Sequence, residues 1–179
     1  MLIIFGFDQL ALVAADLYFQ HPHPPAGQEG AEHGVRLELR RIQAQELRGS
    51  VYSARPVFIA DPLWRVDLLK SVDAAAAGLD RAHHHPTFTG WDESARAFED
   101  ELSQDPLAWL EKELKDLPSV LARAGATDTV ASPRDIAELR LALPRMLDTV
   151  RWLLDQALTG ELAEAPATAT DGLVRAGWL

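Results

Sequence analysis

The spacing of apolar residues changes once along this chain, near residue 90, and that change limits the fold more than any other feature. Upstream, Val35, Leu37 and Leu39 alternate with Arg36, Glu38 and Arg40. Successive side chains of a strand point to opposite faces, so this is a half-buried strand with three apolar residues toward a core and three charged ones toward water. Downstream, Leu107, Leu110, Leu114, Leu117 and Leu121, then Ile136, Leu139, Leu143, Met146, Val150, Leu153 and Ala157, recur at steps of three and four. That is the stripe of an amphipathic helix. Strands followed by helices predict a single α+β domain: an N-terminal antiparallel sheet of about four or five strands over residues 1–72, packed against a C-terminal helical layer over 91–160.

The boundaries follow from the turn chemistry. Leu2–Phe7 reads as a buried first strand, and Gln9–Phe19 as a second. Pro22, Pro24, Pro25, Gly27 and Gly30 then enforce a loop. Val51–Ala60 and Leu63–Lys70 read as a hairpin closed at Asp61-Pro62, because proline presets the φ of a turn. Trp64, Val66 and Leu68 then face the helices, and Pro56 places the first arm at an edge or a bulge. Residues 73–90 read as a connector containing the histidines, and Trp91, Ala95, Phe98 and Leu102 as one face of a short helix. Asp105-Pro106 and Ser132-Pro133 are cap-and-proline starts; Pro118 splits or kinks the first long helix, Gly125 and Gly160 are stops, and Pro144 predicts a bend. The cheapest burial of the two stripes is an antiparallel helix hairpin. Residues 161–179 form a tail whose Leu173, Val174, Trp178 and Leu179 are expected to dock back on the body.

Composition removes several function classes. The chain has no cysteine, so thiol catalysis, disulfides and thiolate metal sites are out, and a cytoplasmic location is expected. The apolar start has no basic leader and is interrupted by Asp8 and Asp16, which argues against a signal peptide or membrane span. Of 27 acidic residues, 17 lie in residues 92–179, against 9 of the 17 basic ones. Acidic helices repel phosphate backbones and anionic lipid, so nucleic acid is a disfavoured partner and a membrane is not expected. Arg36, Arg40, Arg41, Arg48 and Arg55 read as cross-strand ion pairs, with an acidic partner or small anion as the alternative.

Chemistry concentrates in Asp80-Arg81-Ala82-His83-His84-His85-Pro86. In extended chain His83 and His85 share one side and His84 takes the other, so the outer pair can chelate zinc or a similar divalent ion, with Asp80 and Asp92 as flanking carboxylates. His21 and His23 complete such a set only if the proline loop folds over. The plain alternative is a loop whose imidazoles stack on Phe88 or Trp91, cap the next helix or face water. No Gly-x-Ser-x-Gly elbow, glycine-rich phosphate loop or His-Glu-x-x-His helix is present. Acid pairs such as Asp100-Glu101 belong to a solvated helix face.

Gly27–Gly30, Gly34–Glu38, and above all Asp80–Pro86 with Gly90-Trp91, resemble segments of an uncharacterised family of actinobacterial proteins. The resemblance implies that the histidine segment is a family feature; it implies no activity, ligand or catalytic residue. The sequence therefore favours a non-enzymatic interaction or regulatory protein with a protein or small-molecule partner. The alternative is a small metal-binding protein or metal-dependent enzyme centred on His83–His85.

Overall fold

The computed structural model describes residues 1–46, 56–73, 78–126 and 130–160. Its centre is a five-stranded antiparallel sheet in which spatial order equals chain order: β1 (Leu2–Gly6), β2 (Leu10–Gln20), β3 (Ala31–Ala44), β4 (Val57–Ser71) and β5 (His83–His85). A two-stranded ribbon follows, β6 (Phe88–Thr89) and β7 (Asp92–Glu93), turning at Gly90, whose φ of 62° suits glycine. The helices are α1 (Asp100–Gln104), α2 (Pro106–Lys115), α3 (Leu117–Arg123) and α4 (Pro133–Thr159).

The expected alternation sets the helix-facing side. Leu12, Leu39 and Trp64 form one row across β2, β3 and β4, and Ala14, Leu37 and Val66 the next. All six are buried. Over them α4 contributes Leu139, Leu143, Met146, Val150 and Leu153, and α2 contributes Trp109, Leu110 and Leu114. Trp64 stacks on Trp109 with ring centroids 6.0 Å apart and 18° between planes. Aromatic side chains of this size dominate core energetics.

Both ends of α4 are tied to the sheet. Ser132 and Asp135 form a capping box, and Asp135 Oδ1 also accepts the Gln9 N–H at the β1–β2 turn, 2.9 Å away. At the other end His33 Nδ1 donates to the Ala157 carbonyl at 3.1 Å. Carbonyls of a last helical turn lack partners within the helix, so this imidazole satisfies one of them.

Four expectations change. Asp61-Pro62 is not a turn: it lies inside β4, opposite Arg40, where the β3–β4 register shifts. Proline has no N–H for the ladder, and a bulge is where a strand accommodates it. Residues 45–56 thus link β3 to β4, and much of the Val51 arm, with Arg48 and Arg55, lies outside the described residues. Within the histidine connector, His83–His85 form the fifth strand of the main sheet. Trp91 starts no helix; it sits in the ribbon, and helix begins only at Asp100, where Leu102 is the buried member of the expected face. Finally, Pro118 does divide the first long helix, into α2 and α3, so the layer is two short helices with α4 rather than a clear two-helix hairpin. Residues 161–179, with Leu173, Val174, Trp178 and Leu179, lie outside the described residues.

Candidate metal centre

On the outer face of the sheet, away from the helices, the register places two rows of chemistry side by side. Leu2, Ala15, Arg36, Asp67 and His83 stand in one row across β1 to β5; Ile4, Val13, Glu38, Arg65 and His85 stand in the next. Each row runs from apolar at the β1 edge, through an ion pair at β3–β4, to an imidazole at β5.

Arg36, Glu38 and Arg40 were expected to face water, but Glu38 and Arg40 are buried and Arg36 nearly so. The cause is the segment that follows β5, which folds back over this face. Trp91 lies over the Arg40 guanidinium and Phe88 over that of Arg65, each at 5.0 Å from carbon to ring centre. Such cation–π contacts strengthen as water is excluded. Beneath the cover the charges pair as the sequence predicts for cross-strand neighbours. Arg36 holds Asp67 through Nε at 2.7 Å and Nη2 at 3.0 Å, and Glu38 accepts from Arg65 Nε and Arg40 Nε, both at 2.7 Å. Arg65 Nη1 reaches Glu93 at 2.7 Å, and Arg41 pairs with Asp61 at 2.6 Å.

At the β5 end, Asp67, His83 and His85 bring one ligand atom each within 4.8 Å of one another. His83 Nδ1 lies 2.7 Å from the Arg81 carbonyl and His85 Nδ1 2.6 Å from that of Ser94. A carbonyl only accepts, so both Nδ1 atoms carry the proton and both Nε2 atoms turn inward. His83 Nε2 is buried and has no hydrogen-bond partner. It stands 3.4 Å from Asp67 Oδ2, and His85 Nε2 stands 3.8 Å from the same oxygen. Ligands about 2.0–2.1 Å from a tetrahedral zinc are themselves about 3.3–3.4 Å apart. Two imidazoles fixed by carbonyls through Nδ1, with Nε2 aimed at a shared carboxylate, form the oriented donor set that metal-binding histidines use.

Electrostatics favours the ligating protonation states of Asp67 and His85. Burial alone would push the Asp67 carboxyl up, but the Arg36 guanidinium beside it holds it well below the usual carboxylate range. Burial pushes His85 down despite its bond to Ser94 and the Asp67 charge, so this ring stays neutral at pH 7. His84, sent to the other side as expected, pairs with Glu99 at 2.9 Å and tilts over Trp109, with ring centroids 5.2 Å apart. Its pKa is lowered chiefly by burial. Its backbone bridges to Ala97, which fixes the covering segment to β5.

Of the residues singled out in the sequence, the structure brings together His83 and His85, with Asp67 in the carboxylate position. Asp80 Oδ1 instead accepts the Ser71 N–H at 2.8 Å, and Asp92 is exposed in β7. His21 and His23 lie in the proline loop, where His21 Nδ1 accepts the His23 N–H. Asp67 was missed although a signal existed: Arg36-x-Glu38 and Arg65-x-Asp67 are complementary when the strands run antiparallel. What no local pattern marked was a three-residue strand bringing histidines to that row.

Searches of family models, curated proteins and solved structures found no match to this chain.

Proposed function

We propose that this chain is a small metal-binding protein in which Asp67, His83 and His85 hold zinc or a similar divalent ion. The observation that carries the reading is the buried His83 Nε2, unpartnered and aimed with His85 Nε2 at one Asp67 oxygen. An orphaned buried nitrogen costs ~1–3 kcal/mol, and a cation in the triad removes that cost. The triad is also closed: Asp67 and His83 are at most 1% exposed and His85 4%. Three protein ligands leave one position of a tetrahedral ion for water or another ligand, and the burial of all three residues limits access to it. On this reading the ion fastens β5 and the segment 86–98 onto β4, a role in holding the edge of the sheet.

The lack of cysteine supports a cytoplasmic protein. Among the described residues no helix is long and apolar enough to cross a membrane. The resemblance to the actinobacterial family becomes, on this reading, a resemblance in the metal-binding segment.

Calorimetric titration of chelator-stripped protein with zinc tests the proposal. One ion should bind per chain; His83→Ala, His85→Ala and Asp67→Asn should each weaken binding at least tenfold, while His84→Ala, Asp80→Ala and Asp92→Ala leave it unchanged. Cobalt(II), which reports low-symmetry nitrogen and oxygen ligation by visible absorption, gives a signal independent of stability. Wild-type protein that shows neither heat nor a cobalt spectrum refutes the reading.

A further inference from the structure

The two edges of the main sheet differ in how they are finished. β5, at one edge, is three residues long, and its outer side is closed by the backbone bridge from His84 to Ala97. β1, at the other edge, is paired on one side alone among the described residues. Hydrogen bonds at its two ends show which of its groups are open. The Phe7 N–H donates to the Leu10 carbonyl at 2.8 Å and the Asp16 N–H to the Met1 carbonyl at 3.3 Å, both continuing the register that joins Leu2–Gly6 to Ala11–Ala15. Opposed residues of an antiparallel ladder alternate between bonded and non-bonded pairs. The odd-numbered residues of β1 therefore bond to β2, and the N–H and C=O groups of Leu2, Ile4 and Gly6 point away from it along the plane of the sheet.

An open row of this kind is a template for another strand, and proteins normally blunt it with charge, proline, a bulge or a cover. β1 carries no charge and no proline, its sequence being Leu-Ile-Ile-Phe-Gly, and its register with β2 runs without a shift. Leu2 and Ile4 are also exposed on the outer face, beside Ala15 and Val13. We propose that β1 pairs with β1 of a second copy of this chain, antiparallel about a two-fold axis at Ile4, so that two sheets become one. The open groups set the register. With Ile4 opposite the partner's Ile4 and Leu2 opposite the partner's Gly6, every open N–H meets an open C=O. A shift by one residue brings the already bonded odd positions to the seam, and a shift by two leaves open groups unpaired. Side chains at even positions share the outer face, so the apolar rows continue from one copy into the other. Self-association brings like charges together in a chain of net charge −10, and Leu2–Phe7 has no ionisable side chain to repel its own copy. Each copy has one such edge, so the pairing closes at two. The inference stands whether or not the metal triad is filled.

A seam of five residues is short, which puts the interface below ~1,200 Å², where association is weak. Sedimentation velocity of the full chain from about 1 to 300 µM, in chelator and again in zinc, covers that regime. Wild type should pass from monomer to dimer across the range and stop there, alike in both media. Proline at position 4 removes an open N–H and no bond to β2, and edge strands tolerate proline on their solvent side. Ile4→Pro should therefore weaken the dimer at least tenfold with Tm close to wild type, whereas Ile3→Pro, which removes a bond to β2, should lower Tm. Ile4→Lys and Ile4→Glu each set like charges opposite one another across the axis. Each alone should dimerise at least tenfold more weakly than wild type, and their equimolar mixture at least tenfold more tightly than either. That mixture decides the matter even where the proline variant fails to fold. A wild type that stays monomeric throughout, oligomers beyond two, a dimer that survives Ile4→Pro or Ile4→Lys, or a mixture no tighter than its components overturns the proposal.

Discussion

Arg36→Met, studied in chelator and in zinc, separates the energetics of the buried ion pair from those of a metal. In wild type the Asp67 carboxylate, 1% exposed, takes two hydrogen bonds from Arg36 and none from the imidazoles, whose Nδ1 protons go to Arg81 and Ser94. Removing the guanidinium leaves a desolvated charge without a donor, and breaking a buried pair in this way costs about 3–5 kcal/mol. With a urea m-value of ~2 kcal/mol/M, the midpoint should fall by about 1.5–2.5 M in chelator. Zinc supplies Asp67 with another cation and binds the native state preferentially, which is worth ~2.7 kcal/mol at a free concentration a hundred times Kd. The variant should therefore recover more of its midpoint in zinc than wild type gains, with magnesium as the control ion. Arg134→Met, which breaks an exposed pair with Glu138, should leave the midpoint where it was. A loss below about 1 kcal/mol in chelator would refute the pairing argument, and equal midpoints with and without zinc in both proteins would refute the ligand set.

Three further predictions concern the scaffold. A Cβ at Gly34, where φ is 151°, would overlap the Leu68 carbonyl oxygen, so Gly34→Ala must part β3 from β4; a loss of at least ~2–3 kcal/mol, or roughly 4–12 °C in Tm, is expected, and an unchanged Tm contradicts that approach. Leu143→Ala removes a buried side chain from α4 and should cost about 2–5 kcal/mol in denaturant titration, a loss under half a kilocalorie being inconsistent with its place in the core. Asp135→Ala loses the α4 capping box and orphans the Gln9 N–H, together about 2–4 kcal/mol. Burial pushes the Asp135 carboxyl up, but hydrogen bonds from Gln9 and Ser132 outweigh it and lower the pKa. Its stabilisation is thus present above the ordinary aspartate value of ~3.9 and lost as pH falls through the lower folded value, so the gap between variant and wild type should close below about pH 4 and not before.

The α+β class was legible because Val35–Arg40 and the leucine stripes carry unambiguous periods, and the antiparallel sheet with its C-terminal helices follows them. The ends of α4 were legible because capping is local chemistry: Ser132, Pro133 and Asp135 act within one turn. Pro62 misled for the complementary reason. Proline reports a missing N–H, and a turn and a bulge both tolerate that; only the partner strand distinguishes them. His83–His85 escaped because three residues are too few to show a period, and their strand exists through pairing with Arg65–Asp67 across the chain. At the candidate site the sequence therefore indicated that His83 and His85 share a side and His84 does not. The complementary charges of Arg36-x-Glu38 and Arg65-x-Asp67 pointed to Asp67 as an ion-pair partner but not as the histidines' carboxylate, because that role comes from the β4–β5 pairing rather than from Asp80 or Asp92.

The location of the triad makes one consequence of metal binding local enough to measure. β5 is an edge strand of three residues, joined to the sheet through β4 and to its cover through the His84–Ala97 bridge, whose two backbone hydrogen bonds are both 2.9 Å. A short edge strand opens without the rest of the fold unfolding, so its amides exchange with solvent through local excursions. Separating β5 from β4 takes His83 and His85 away from Asp67, and a bound ion must leave first. At a free zinc concentration a hundred times Kd, that opening becomes about a hundredfold rarer. Exchange at the His84 and Ala97 amides should slow by a comparable factor, while the Ile42 amide, bonded to the Gln9 carbonyl at 2.7 Å far along β3, should change little. Zinc that slows all three equally acts on global unfolding, and zinc that slows none of them does not bind between β4 and β5; either pattern excludes a metal fastening this edge.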